Sequence, residues 1–162
     1  MVLISLGSNQ GDSVAVLNAA TDALRVRAAA DFRSSALYCT SPVDCPPGSP
    51  DFVNAAVAFV ARADDSPEAM LAFLKALERT HGRGQSMVRN APRVLDLDLI
   101  LYDQQVRDTD SFVLPHPRAA LRRFVMAPAA SIAPELVWPI GGATVGEMHA
   151  ALHTAEVVQP LA

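Results

Sequence analysis

Leu95-Asp96-Leu97-Asp98-Leu99-Ile100-Leu101-Tyr102 is the stretch that most restricts how this chain can fold. Its apolar-polar alternation has the period of a strand with one buried face. It predicts Leu95, Leu97, Leu99 and Leu101 toward a core, with Asp96, Asp98 and Ile100 on the opposite face. Aspartate is a poor strand residue, by up to roughly 1 kcal/mol per position. Same-face carboxylates at i and i+2 lie roughly 6–7 Å apart. At an effective dielectric of about 20 they repel by roughly 2–3 kcal/mol. Water can screen such a pair, but the loop upstream argues for a ligand. Residues 79–93 are polar, glycine-containing and basic, with Arg79, Arg83, Arg89 and Arg93 leading into the strand. Mg2+ takes one or two carboxylates plus substrate phosphates and waters, and arginine matches the phosphates themselves. The combination points to metal-assisted phosphoryl or nucleotidyl transfer.

At 162 residues with 51% hydrophobic content, the chain is expected to form one domain, 1–162, with its own core. No apolar run approaches membrane-spanning length, and Met1-Val2-Leu3-Ile4-Ser5-Leu6 lacks the charged start of a signal peptide. A cytoplasmic location is therefore expected. A net charge of −4 argues against general binding to nucleic acid or anionic membranes. Lys75 is the single lysine among thirteen basic residues, and eight of the thirteen fall between Arg79 and Arg123, around the aspartate strand. Cys39 and Cys45 fit no metal or redox spacing and are expected as buried free thiols.

In chain order, residues 2–6 read as a buried strand ending at a Gly7-Ser8-Asn9 turn, and a helix follows to about Arg27. A second strand is expected over 32–40. Four prolines within residues 41–50 then restrict a loop suited to presenting main-chain groups. Residues 52–63 form an apolar strand interrupted by Asn54, and Ser66-Pro67-Glu68 opens a helix to about His81. Past the aspartate strand, Asp103-Gln104-Gln105 reads as a hairpin turn, and 118–131 as helical. Thr144-Val145-Gly146-Glu147 is a capping box. The order is β-α-β-β-α-β, so the expected class is α+β. The layout is ferredoxin-like: an antiparallel sheet with helices on one face and a C-terminal helical extension.

Several chemistries are absent. There is no G-x-x-x-x-G-K-[ST] loop and no dinucleotide fingerprint. Ser86 lacks a nucleophile elbow, and His149 with His153 lacks the H-E-x-x-H pattern. Basic surface and sheet aromatics in the RNA-recognition pattern are also missing.

Arg89-x-Ala91-Pro92-Arg93-x-x-Asp96-Leu97-Asp98-Leu99-Ile100 resembles the signature of the 6-hydroxymethyl-7,8-dihydropterin pyrophosphokinase family of folate biosynthesis. The resemblance runs almost end to end. It takes in Gly7-Ser8-Asn9, Asp51-Phe52-x-Asn54-Ala55-Ala56, Glu78, Gly82-Arg83, Leu114-Pro115-His116, Arg122-x-Phe124 and Ile132-Ala133-Pro134-Glu135. It implies transfer of the β,γ-pyrophosphoryl group of ATP to the pterin hydroxymethyl group, with release of AMP. On that resemblance Asp96 and Asp98 hold two Mg2+ ions. Arg83 and Arg93 bind the phosphates, with Arg89 joining from the loop. Phe52 and Phe124 sandwich the pterin and Asn54 bonds its polar edge, with Gly7, Ser41, Pro42, Val43 and Asp44 completing the pocket. Lys75, Glu78, Leu99, His116 and Arg122 stand where the family contacts ATP. The implied partners are these small molecules, with no nucleic acid or membrane, and a monomer is the expected state.

The chain departs from the family at Asn90-Ala91, where an aromatic-glycine pair is usual, and at Gln85, Ser111, Pro117 and Asp44-Cys45. Two other classes share parts of the pattern. A two-metal nucleotidyltransferase using D-x-D would release pyrophosphate rather than AMP. A ferredoxin-like binding module descended from the enzyme would bind ligand without turnover.

Overall fold

The computed structural model describes residues 1–43, 45, 47–82 and 93–161. Its main sheet contains β1 (Val2–Ser8), β2 (Ala28–Ser34), β3 (Tyr38–Thr40), β4 (Phe52–Ala61), β5 (Asp96–Tyr102) and a C-terminal strand, β8 (Val158–Pro160). All pairings are antiparallel in the order β5-β1-β4-β3-β8, and β2 also pairs with β4. Helices α1 (Ser13–Arg25) and α2 (Pro67–Thr80) connect the strands as the β-α-β-β-α-β reading expects. Local chemistry sets their starts. Asp12 accepts the Ala15 N–H, and Ser66 accepts the Ala69 N–H with Pro67 directly after it. Helix α2 stops at His81, and Gly82 follows at φ +81, a conformation suited to glycine.

Four segments differ from the sequence reading. The first strand runs through Gly7 to Ser8 instead of turning there, because both its edges are paired. The strand expected over 32–40 is split into β2 and β3. At the break the Ser35 hydroxyl accepts the Ala56 N–H, so β4 keeps a partner where the neighbouring backbone leaves the ladder. Asp103-Gln104-Gln105 does turn, but the chain does not return along β5. It forms a separate hairpin of β6 (Arg107–Thr109) and β7 (Phe112–Leu114). The helix expected over 118–131 is interrupted. A 3-10 turn (Ala119–Leu121) precedes extended backbone at Arg122, and then α3 (Arg123–Ile132) begins. A last helix, α4 (Val145–Ala151), opens on the expected capping box, with Thr144 and Glu147 bonding each other's main chain.

Helices α1 and α2 bury one face of the sheet over Ile4, Leu6, Val57, Phe59, Leu97 and Leu99. The C-terminal extension packs on the other face, where α3 and α4 cover Leu3, Ala56, Ala58, Ile100 and Leu101. Leu101 was expected beside Leu97 and Leu99. A bulge opposite Leu3 and Ile4 inserts one residue into β5 and turns Leu101 to the second face. The extension stops short of the other half of that face, and the polar residues of β1, β4 and β5 lie in the uncovered half.

Candidate active site

Cross-strand register assembles the floor of this open half. Gly7 on β1 stands between Asp96 on β5 and Asn54 on β4, and Ser5 pairs with Asp98. Directly opposed residues share a face, so Asp96, Asp98, Ser5, Gly7, Asn54 and Phe52 all point the same way. Gly7 keeps the row open. A Cβ there would stand 2.8 Å from Asn54 Oδ1. That amide cannot swing aside freely, because Asn54 Nδ2 donates to Thr40 Oγ1 at 2.7 Å in a buried setting.

The cleft above this floor has a volume of about 270 Å3, near the lower end of the range for small-molecule sites. One wall comes from Ser41, Val43 and Cys45, the other from His116, Arg118, Arg122 and Phe124. The break before α3 places Arg122 and Phe124 at the rim, with the Arg122 guanidinium 5.4 Å from the Phe124 ring centre.

Arg93 enters from the start of β5, and its Nη1 donates to Asp96 Oδ2 at 2.5 Å. Its backbone is held independently. Asn9 accepts the Arg93 N–H through Oδ1 at 2.8 Å, and the Asn9 N–H donates to Arg93 O at 3.0 Å. The two carboxylates therefore differ: Asp96 is neutralised by arginine, whereas Asp98 has His116 Nε2 at 4.0 Å. The Arg118 N–H donates to His116 Nδ1, so the ring proton of the neutral form belongs on Nε2, toward Asp98. Burial pushes the His116 pKa below its ordinary value. Arg122 and Arg118 add to that, and the opposing pull of Asp98 does not reverse it. The imidazole is thus a neutral donor near pH 7.

Among the described residues no cluster of three or more His, Cys, Asp and Glu gathers, so no ligand set of the zinc kind is present among them. The Asp96–Asp98 pair instead fits Mg2+, which completes its shell with phosphate and water.

Of the residues singled out in the sequence, Gly7, Ser41, Val43, Phe52, Asn54, Arg93, Asp96, Asp98, His116, Arg122 and Phe124 meet in this cleft. Asp44, Arg83 and Arg89 lie outside the described residues. Pro42 does not line the cleft, and Leu99 is buried in the core on the opposite face. Ser5, Thr40, Cys45 and Arg118 line it without having been anticipated. Ser5 did carry a signal, being the one polar residue in the strand expected over 2–6. The thiols differ from expectation: Cys39 and Cys45 are free but half-exposed.

Lys75 and Glu78 are not in the cleft but on the outer edge of β5. The Leu97 N–H donates to Glu78 Oε1 at 2.8 Å, and Lys75 Nζ donates to Leu97 O at 3.3 Å. Helix α2 thereby satisfies an edge strand that has no strand neighbour on that side among the described residues. Replacing Glu78 with alanine should leave the Leu97 N–H buried without an acceptor, at a cost of roughly 1–3 kcal/mol. Thermal denaturation should show Tm lower by roughly 3–10 °C, with Glu78→Gln recovering most of the loss. An unchanged Tm for Glu78→Ala would remove the edge-holding role.

These features define an α+β domain with a mixed-charge cleft, arginine and carboxylates at one end and an aromatic-lined amide at the other. A model of the 7,8-dihydro-6-hydroxymethylpterin-pyrophosphokinase (HPPK) family matches residues 3–134, well over half of the chain. The chain belongs to this family. It is 38% identical over 159 residues to the 2-amino-4-hydroxy-6-hydroxymethyldihydropteridine pyrophosphokinase of Methylorubrum extorquens, covering 92% of this chain and 91% of that protein. It is 32% identical over 146 residues to the folic acid synthesis protein fol1 of Pneumocystis carinii, covering 89% of this chain and 19% of that protein. The chain spans only 19–27% of the length of that protein and of two folate synthesis bifunctional proteins of Arabidopsis thaliana. A crystal structure of an HPPK-DHPS in complex with substrates superposes with a TM-score of 0.67 at 12% identity, over 93% of this chain and 43% of that one. At that identity the likeness speaks for the fold alone. No helix among the described residues is long and apolar enough to cross a membrane.

Proposed function

We propose that this chain transfers the pyrophosphoryl group of ATP to the hydroxymethyl group of 6-hydroxymethyl-7,8-dihydropterin, giving AMP and the pterin diphosphate for folate synthesis. The observation that supports this reading is the floor row Asp96–Gly7–Asn54, in which paired carboxylates and a buried amide beside aromatic rings share one cleft. A flat pterin stacks against Phe52 and Phe124 at the Asn54 end, each face adding roughly 1 kcal/mol beyond its buried area. Asn54 offers a carbonyl to the heterocycle edge, and Ser41 and Val43 supply loop main chain beside it. Pro42 and Asp44 belong to the proposal through the family resemblance.

The hydroxymethyl oxygen then points toward the carboxylates. It attacks the β-phosphorus of ATP and loses its proton to water, the bond from that phosphorus to the bridging oxygen of the α-phosphate breaks, and AMP departs with that oxygen. Asp96 and Asp98 are the residues that hold Mg2+, two ions in this proposal, whose charge stabilises the redistributing phosphate negative charge. Arg93 and Arg122 bind phosphate oxygens at the rim, and neutral His116 donates a hydrogen bond through Nε2. Arg83 and Arg89 join this set through the sequence resemblance. On the β5 edge, nucleotide contact is proposed through the Lys75 ammonium and the outward main chain at Leu99, with Glu78 holding the strand in place. The proposal places the chain in the cytoplasm, as a monomeric single domain acting on small molecules.

The test is AMP formation from ATP, Mg2+ and 6-hydroxymethyl-7,8-dihydropterin. Release of pyrophosphate instead would make the chain a nucleotidyltransferase. Pterin binding without AMP above background would make it a binding module.

The Gly7–Asn54 contact supplies a sharper test of the pterin end. Gly7→Ala should displace the Asn54 carbonyl and weaken pterin binding about tenfold, about 1.4 kcal/mol, within the usual effect of overpacking. ATP affinity should change less than about threefold, because Gly7 has no phosphate partner in this scheme. Calorimetry with each substrate separates the two, and unchanged pterin affinity would move that pocket off the β1–β4 floor.

A further inference from the structure

The final stretch of the chain lies beyond the residues matched by the family, yet it touches both walls of the cleft. Helix α3 starts without a side-chain cap from Arg122 and with no acidic residue in its first turn. Its leading N–H groups need acceptors from elsewhere. One arrives from the tail: the Phe124 N–H donates to Glu156 Oε2 at 3.1 Å. The carboxylate also places negative charge at the positive end of the helix.

The residues that follow are tied to the opposite wall. The Ser41 N–H donates to Val157 O at 3.3 Å, and the Val157 N–H reaches Ser41 Oγ at 3.4 Å. Strand β8 then pairs with β3, with Val158 opposite Thr40, and the Leu161 N–H donates to Leu37 O at 2.7 Å. Thr40 is the residue that accepts from Asn54. One short segment therefore connects Phe124, Ser41 and, through Thr40, Asn54. Ser41 and Asn54 already meet through the β3–β4 pairing, and the tail adds Phe124, from a distant part of the chain.

We propose that the C-terminal tail is a strap that sets the width of the aromatic end of the cleft, with Glu156 as the positioning residue that holds Phe124 in register with the Ser41 wall. The part of this proposal concerning pterin affinity rests on the function proposed above. The hold on Phe124 does not. Glu156 is half-exposed and outside the core, so its loss releases the rim locally without unfolding the sheet. An amide in its place keeps the oxygen that accepts the Phe124 N–H, so Glu156→Gln conserves the hydrogen bond while removing the charge.

The experiment compares full-length wild type, Glu156→Ala and Glu156→Gln by calorimetry with 6-hydroxymethyl-7,8-dihydropterin and with ATP, and by amide hydrogen exchange at Phe124 without ligand. Glu156→Ala should weaken pterin binding about tenfold, leave ATP affinity within about twofold, and speed Phe124 exchange at least tenfold. Glu156→Gln should return pterin affinity to within about threefold of wild type. Wild-type exchange at Phe124 in Glu156→Ala overturns the strap, as does equal loss of both substrates, which would mark a general structural role. Wild-type pterin affinity in Glu156→Ala overturns it as well. Failure of the wild-type chain to bind pterin, with Phe124 exchange still accelerated in Glu156→Ala, would sink the proposed function and support the tail's hold on Phe124.

Discussion

Asp98→Asn should lower kcat for AMP formation at least about a hundredfold, about 2.7 kcal/mol in the barrier. A neutral amide cannot hold a divalent cation against phosphate as a carboxylate does. Asp96→Asn should be equally damaging to turnover, but the two substitutions should part company in stability. Asp98 is a half-buried carboxylate with no arginine salt bridge among the described residues, and a neutral imidazole stands 4.0 Å from it. Asp96 is held by Arg93 at 2.5 Å. Removing the Asp98 charge relieves repulsion and should leave the metal-free Tm unchanged or raised. Removing the Asp96 charge also loses an ion pair worth up to about 1 kcal/mol at a partly exposed site, so no gain is expected. Steady-state kinetics over a Mg2+ titration, with melting in EDTA, reads both effects. Full activity in EDTA, or turnover indifferent to both substitutions, would exclude the metal role of the pair.

Arg93→Ala should reduce kcat/KM at least about a hundredfold and weaken ATP binding at least tenfold, since a guanidinium contacting phosphate acts in both ground and transition states. Its position beforehand is set through the backbone by Asn9, not by the side chain. The fold should therefore survive the truncation, with Tm within about 3 °C of wild type. Arg93→Lys keeps the charge but not the planar fork, and should recover only part of the loss. Calorimetry with ATP and single-turnover kinetics provide the check. Intact ATP affinity together with intact turnover would mean that Arg93 serves only to neutralise Asp96.

Much of the site was legible because its chemistry is concentrated in short segments. The alternation of Leu97, Asp98 and Leu99 states which face is buried, whatever lies above it. Asn54 within an apolar strand is a similarly local signal, whereas Gly7 reads as a turn residue and enters the site only through the family resemblance. Lys75 and Glu78 show the limit of such reading. Their spacing from the aspartate strand says nothing about direction, and only the packing of α2 reveals that they bond the Leu97 main chain. Arg118 and Cys45 were missed for the same reason. Each reaches the cleft through the path of a loop, which carries no periodicity to read.

The sequence by itself determined the main strands and helices, the helix caps at Ser66 and Thr144, the antiparallel ferredoxin-like layout, and the face carrying Asp96 and Asp98. These follow from side-chain period and from hydrogen bonds between residues three or four positions apart. The tertiary structure alone decided that Gly7 lies between Asp96 and Asn54, that a bulge sends Leu101 to the second face, and that α3 covers half of that face. It also decided that Glu156 caps the helix bearing Phe124. Those outcomes depend on register and on contacts between segments distant in the chain, where the stability of each pairing is set by every neighbour it packs against rather than by the residues that make it.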